Sequence, residues 1–229
     1  FVSHELKGPL ATMMMDWDVL AGGHAGPLTP AQLGVVSRTR RQGEYLLSLI
    51  RDYLDLARIE EGDMTLRARD GVEVISEVLL PAIDITAPAL LQNRMRLTRH
   101  FADQPLHWSC DPDLLKIVVV NLLSNAGKYG RPDGEVRLHA ERTQAGLSIR
   151  VWNEGPGFRD SDRAALFRRF SRLAVPEFRA IKGSGVGLYT SARIVRLHGG
   201  QIRAASEYGH WAEFTVELPL IRQELNNTA

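Results

Sequence analysis

A single cysteine, Cys110, stands in 229 residues, which excludes an internal disulfide and any metal site built from several thiolates, and fits a reducing compartment. Net charge is nearly absent: 28 Lys and Arg face 27 Asp and Glu, so no global field points to nucleic acid or an anionic membrane as the main partner. Long apolar runs are missing. The longest, near Ile117 to Leu123, is too short to span a bilayer, and no signal-peptide pattern opens the chain. His24, His100, His107, His139, His198 and His210 show no i, i+4 pairing and no cysteine companions, which argues against a catalytic zinc. An initiator Met is also missing, and the helical pattern that begins at Phe1 reads as a piece of something longer. What is present is the balance of a globular protein, 44% hydrophobic and 24% charged, in a chain long enough for a helical unit plus one α/β domain.

Apolar residues at Val2, Leu6, Leu10, Met13, Trp17 and Leu20 alternate by four and three, the seam of a helix that faces a partner helix. Gly22 to Pro30 breaks the pattern, and Thr29 before Pro30 predicts an N-cap with Pro at the first helical position. The second helix carries its seam at Leu33, Val36, Leu47, Ile50, Leu54 and Ala57, interrupted at Arg40 and Gly43, and ends near Gly62. Such a hairpin, residues 1–62, cannot bury both sides of its seam alone, which predicts a homodimer built as a four-helix bundle. A polar hinge at 63–71 leads into a mixed unit at 72–222, with a tail at 223–229. In that unit a helix is expected over Val72 to Leu91, a strand over Met95 to Phe101 and another over His107 to Cys110. Asp111 is expected to cap a helix over Pro112 to Tyr129. An antiparallel pair over Glu135 to Glu141 and Leu147 to Trp152 precedes an irregular stretch at 158–182. A helix over Gly187 to His198, with His198 as its cap, and strands over Gln201 to Ala205 and Trp211 to Leu218 complete it. Trp152 and Trp211, on strand patterns, are expected in the core. The fold class is α+β: a helical hairpin followed by an α/β sandwich.

His4 lies two residues from each of the seam positions Val2 and Leu6, so at about 100° per residue it is expected to point away from the seam, with Glu5 beside it to orient the imidazole and take its proton. Pro9 cannot donate to the Glu5 carbonyl and is expected to bend the helix just past His4. Asn121 and Asn125, four apart, project together with Lys128 one turn on. Asn153, Gly155 and Gly157 follow a strand directly, and Gly183, Gly185, Gly187 and Leu188 open a helix, where backbone N–H groups stabilise phosphate oxygens.

Taken together these segments resemble the sensor histidine kinases of two-component systems. Ser3-His4-Glu5-Leu6-Lys7-Gly8-Pro9-Leu10 is similar to the phosphoacceptor box, and Asn121 to Tyr129 to the N box. Asn153 to Phe158 resembles the first glycine box, Leu166 to Phe170 the F box and Gly183 to Leu188 the second glycine box, in family order. The resemblance implies ATP and Mg2+ as cofactors, with Asn125 the metal ligand and Asn121, Lys128 and Tyr129 around the phosphates. It implies a base site at Asn153, Gly155 and Gly157, a lid over the nucleotide anchored by Phe170, and phosphate contacts at Gly183, Gly185, Gly187 and Leu188. His4 would be the nucleophile and Glu5 the general base, with onward transfer to an aspartate of a response regulator docked on the hairpin. The implied location is cytoplasmic, free or as the cytoplasmic part of a membrane-anchored sensor, with no membrane contact from this segment.

Two positions depart from the family pattern. Gly8 occupies the place of a water-positioning Thr or Asn, which implies weak phosphatase activity toward the regulator. Asn153 replaces an Asp, which keeps open a signalling scaffold with an impaired nucleotide site. Another ATPase of the gyrase and chaperone superfamily is the third reading.

Overall fold

The computed structural model describes residues 2–60, 65–101, 104–173, 181 and 183–220, without the side chains of residues 2–7, 51, 52, 55, 56 and 58–60. The expected hinge start, the tail and part of the irregular stretch lie outside the described residues, as do the side chains of His4 and Glu5.

Helices α1 (Val2–Ala21) and α2 (Pro30–Glu60) form the hairpin. Thr29 and Gln32 close a reciprocal capping box: the Thr29 N–H donates to Gln32 Oε1 at 2.8 Å, and the Gln32 N–H donates to Thr29 Oγ1 at 3.3 Å. The break in the α2 seam has a steric reason. A Cβ at Gly43 would sit 2.3 Å from the Trp17 indole, so Gly43 is the notch that receives the largest side chain of α1. An ion pair from Asp18 to Arg40 at 3.1 Å sits beside that notch and sets the hairpin register. Met13, Val19, Leu33, Val35 and Leu46 remain exposed along the two helices, an apolar surface that one hairpin does not cover.

The second unit starts earlier than expected. Arg69–Glu73 is a strand, β1, paired antiparallel with β3 (His107–Cys110) through a bulge between Arg69 and Val72. Helix begins only at Ile75 because the Glu73 carboxylate accepts from the N–H groups of Ile75, Ser76 and Leu106, capping the chain where it leaves the strand. A π-helical turn over Ile75–Leu79 continues into α3 (Leu80–Gln92). The stretch Ile75–Gln92 has the length and hydropathy of a membrane span, but Val78, Leu79, Ala82, Ile83 and Leu90 are buried in the core of the domain.

A five-stranded sheet carries the rest, in the order β2 (Arg96–Phe101), β4 (Glu135–Thr143), β5 (Gly146–Glu154), β7 (Trp211–Pro219) and β6 (Gln201–Glu207). Only β2 and β4 run parallel. One face packs Val136, Leu138, Ile149, Val151, Phe214 and Val216 against α3, α4 (Pro112–Tyr129) and α5 (Gly187–Leu197). The two-residue period of these strands explains why Trp152 and Trp211 are not core. Inward positions fall at Val151, Asn153, Ala212 and Phe214, so both tryptophans face outward. Trp152 lies under the Arg137 guanidinium at 4.3 Å, and Trp211 donates to Glu207 at 3.0 Å. The core tryptophan is Trp108.

Asp111 accepts from the N–H groups of Asp113 and Leu114 as the α4 N-cap. His198, at the α5 C-cap, bridges two helix ends: Nδ1 donates to the Ile194 carbonyl (2.8 Å), and Nε2 accepts from the Asp111 N–H (3.1 Å). Buried Cys110, between these elements, has its thiol pushed up to about 12 by burial, which keeps it protonated.

Candidate functional site

A cleft open to solvent lies between α4, α5, the exit of β5 and the 158–173 segment. It brings together Asn121, Asn125, Lys128 and Tyr129 from α4, Asn153 and Gly157 from the β5 exit, and Gly183, Gly185, Gly187 and Leu188 from the loop into α5. Residues far apart in the chain therefore share one site.

The α4 wall is built by helical spacing. Leu115, Val118, Leu122 and Leu123 anchor the helix in the core, which turns Asn121, Asn125 and Lys128 toward the cleft. Asn121 is held by α5: its Nδ2 donates to the Gly187 carbonyl at 3.3 Å and to Ser191 Oγ at 3.4 Å. A Cβ at Gly187 would meet that amide at 3.6 Å, so the two helices touch here. The Tyr129 phenol is raised above its usual pKa by burial, with Arg172 opposing, and stays neutral. Gly185, at φ +72°, has the Ser171 carbonyl 2.7 Å from where a Cβ would be; only glycine fits.

At the other end Asn153 is 4% exposed, inside the sheet. Its Nδ2 donates to the Glu154 carbonyl at 3.1 Å, which orients the amide and leaves Oδ1 as the acceptor for a ligand. Gly155 does not line the cleft. A Cβ there would crowd the Tyr129 carbonyl at 2.9 Å, so this glycine lets the β5 exit pass the end of α4. Phe170 is 55% exposed, at φ +57° with Arg169 over its ring, and does not line the cleft either. The apolar wall comes instead from Phe158, Leu166, Leu173 and Phe214.

Sequence reasoning missed Ser48 of α2, Ser124, Ser171 and Arg172, all of which line the cleft. Arg172 donates to the Ile181 carbonyl, placing a second cation with Lys128. Ser124 was legible in principle, one residue before Asn125 on the same helix; Ser48 lies in the other unit and carries no local signal.

The donor set fits a nucleotide. Amide oxygens on α4 suit a hard cation, backbone N–H groups at the start of α5 suit phosphate, and an apolar wall with one buried acceptor suits a base. Residues 110–222 match the family of histidine kinase-, DNA gyrase B- and HSP90-like ATPases, and residues 1–62 match the His Kinase A phosphoacceptor domain. The chain is 33% identical over 228 residues to the circadian input-output histidine kinase CikA of Synechococcus elongatus, covering 95% of this chain and 29% of that protein. It is 33% identical over 220 residues to the sensor histidine kinase GlrK of Escherichia coli, covering 95% and 45%. The chain thus spans less than half the length of these relatives. Among solved structures, full-length ShkA in complex with AMPPNP matches at a TM-score of 0.74 and 26% identity, covering 95% of this chain and 44% of that one. Both family models in order along one chain, and relatives that extend across both, establish that this chain belongs to the two-component sensor histidine kinase family.

Proposed function

We propose that the chain is the catalytic portion of an autophosphorylating protein-histidine kinase, acting in the cytoplasm as a dimer through the hairpin. The observation that carries this is the convergence of Asn121, Asn125, Lys128, Asn153 and the Gly183 to Leu188 loop on one cleft. ATP is held with its base against Phe158 and Phe214 and its amino group on Asn153 Oδ1. The phosphates lie toward Lys128, Arg172 and the N–H groups that open α5. Asn125 is the side chain that would hold Mg2+, with Asn121 as a further amide oxygen on the same helix; the ion would neutralise phosphate charge. A nitrogen of the His4 imidazole attacks the γ-phosphorus, ADP leaves, and Glu5 takes the imidazole proton. The phosphoryl group then passes to a regulator aspartate.

Titration with a fluorescent ATP analogue tests the site. Binding should require Mg2+ for full affinity, and Asn125→Ala should remove that requirement; metal-independent binding by the wild type would contradict the assignment. Asn153 supports a second reading, a scaffold with an impaired site, since a neutral amide makes a weaker bond than a carboxylate. The amide orientation set by the Glu154 carbonyl favours the kinase. Wild-type protein that binds no nucleotide, with Asn153→Asp restoring binding, would favour the scaffold.

A further inference from the structure

The exit of β5 rests directly on the turn between β6 and β7. Gly157 stands at φ +59°, and a Cβ there would meet Ser206 Oγ at 2.4 Å, the Trp211 carbonyl at 2.7 Å and the Glu207 carbonyl at 2.9 Å. Three hydrogen bonds cross the contact, and a fourth, between β6 and β7, fixes the Ser206 hydroxyl. The Gly155 N–H donates to the His210 carbonyl at 2.9 Å, and the Gly209 N–H donates to the Pro156 carbonyl at 2.7 Å. The Phe158 N–H donates to Ser206 Oγ at 2.8 Å, and the Ser206 hydroxyl donates to the Trp211 carbonyl at 2.7 Å. Ser206 is the one side chain in this set, and it comes from 48 residues further along the chain than Phe158.

The turn beneath is itself braced. Trp211 Nε1 donates to Glu207 at 3.0 Å, the Arg159 guanidinium lies 4.9 Å from the centre of the Tyr208 ring, and Arg131 donates to the Gly209 carbonyl at 3.3 Å. We propose that Ser206 and the β6–β7 turn set the position of the 155–158 loop, making Ser206 a positioning residue for the base end of the nucleotide. The inference rests on the nucleotide reading of the cleft. The Ser206 hydroxyl has one hydrogen, given to Trp211, and lone pairs that receive Phe158. Removing it takes one donor from the Trp211 carbonyl and the partner of the Phe158 N–H, and that N–H regains a partner only if the loop lifts into water. Phe158, which lines the cleft and packs 6.3 Å from Phe214, moves with the loop. Asn153 stays, because it is paired within the sheet to Val136 and Ala212. The phosphate end, on α4 and the Gly183 to Leu188 loop, makes none of these contacts, so the loss falls on affinity and not on the chemical step.

The test is ADP titration of the full chain, with autophosphorylation measured at saturating ATP, for wild type, Ser206→Ala, Ser206→Thr and Trp211→Phe. Ser206→Ala should weaken ADP binding about tenfold, the scale set by two lost hydrogen bonds, with the saturated rate within about twofold of wild type. Ser206→Thr, which keeps the hydroxyl, should restore most of the affinity. Trp211→Phe, which removes only the indole bond to Glu207, should weaken binding about threefold. Unchanged ADP binding in both Ser206→Ala and Trp211→Phe would overturn the inference, as would a saturated rate that falls as far as the affinity. A wild type that binds no ADP would overturn the nucleotide reading and this inference with it.

Discussion

Asn153 is where one atom separates this chain from the usual carboxylate. Its NH2 is engaged by the Glu154 carbonyl, so an Oδ1 acceptor remains, but without charge. Asn153→Asp should tighten ATP binding by about tenfold through a charge-assisted bond, read by equilibrium titration; unchanged affinity would mean that the base amino group does not meet this residue. Gly8 has open space around it, with nothing within 4 Å of a built Cβ, so Gly8→Thr introduces a hydroxyl without a clash. It should raise dephosphorylation of the phosphorylated regulator by at least severalfold, measured by loss of label from the regulator. Asn121, Asn125, Asn153 and the glycines of the α5 loop were legible in sequence because each belongs to a short local pattern. Phe170 was legible only as part of such a pattern, and the backbone turns it outward at positive φ while Phe158 and Phe214 supply the wall.

At the level of elements, the hairpin depends on a notch that periodicity records only as a flaw. Gly43→Ala should cost about 1–3 kcal/mol by pushing Trp17 out of its seat, seen as a lowered thermal midpoint for the helical transition; no change would show that the indole moves aside freely. The parallel β2–β4 edge carries His100 stacked on His139, ring centres 4.2 Å apart. Burial, His100 and Arg150 hold the His139 pKa below its ordinary 6.5, with Arg137 acting the same way and Glu141 opposing. A lowered pKa means that the unfolded chain binds the proton more tightly. Stability is therefore full above about pH 6.5 and falls as pH drops toward the lowered value. His100→Ala should shrink that loss, measured by urea unfolding at about pH 7.5 and 5.5; an unchanged difference would remove the pair from the account. β1 escaped the sequence reading because its end is set by Glu73 bonding to Leu106, 33 residues away, a contact no local window contains.

For the whole molecule, the exposed apolar surface of the hairpin predicts a mass by light scattering twice that of the chain, and a strict monomer would refute the four-helix bundle. The two units also meet: Ser48 of α2 lines the cleft. The Trp17 to Gly43 and Asp18 to Arg40 contacts set the hairpin register, and extending it places the backbone of His4 opposite residues near 55 of α2. At 1.5 Å per residue that level is about 10 Å along α2 from Ser48. The architecture of each unit was legible in periodicity, whereas their mutual placement depends on side chains from separate units and was not. The most direct test of the account is incubation with γ-labelled ATP and Mg2+, comparing the wild type with His4→Ala. The account predicts protein-bound label that is labile to acid in the wild type and absent in the variant. Label retained by His4→Ala, or free phosphate released with no labelled protein, would contradict it.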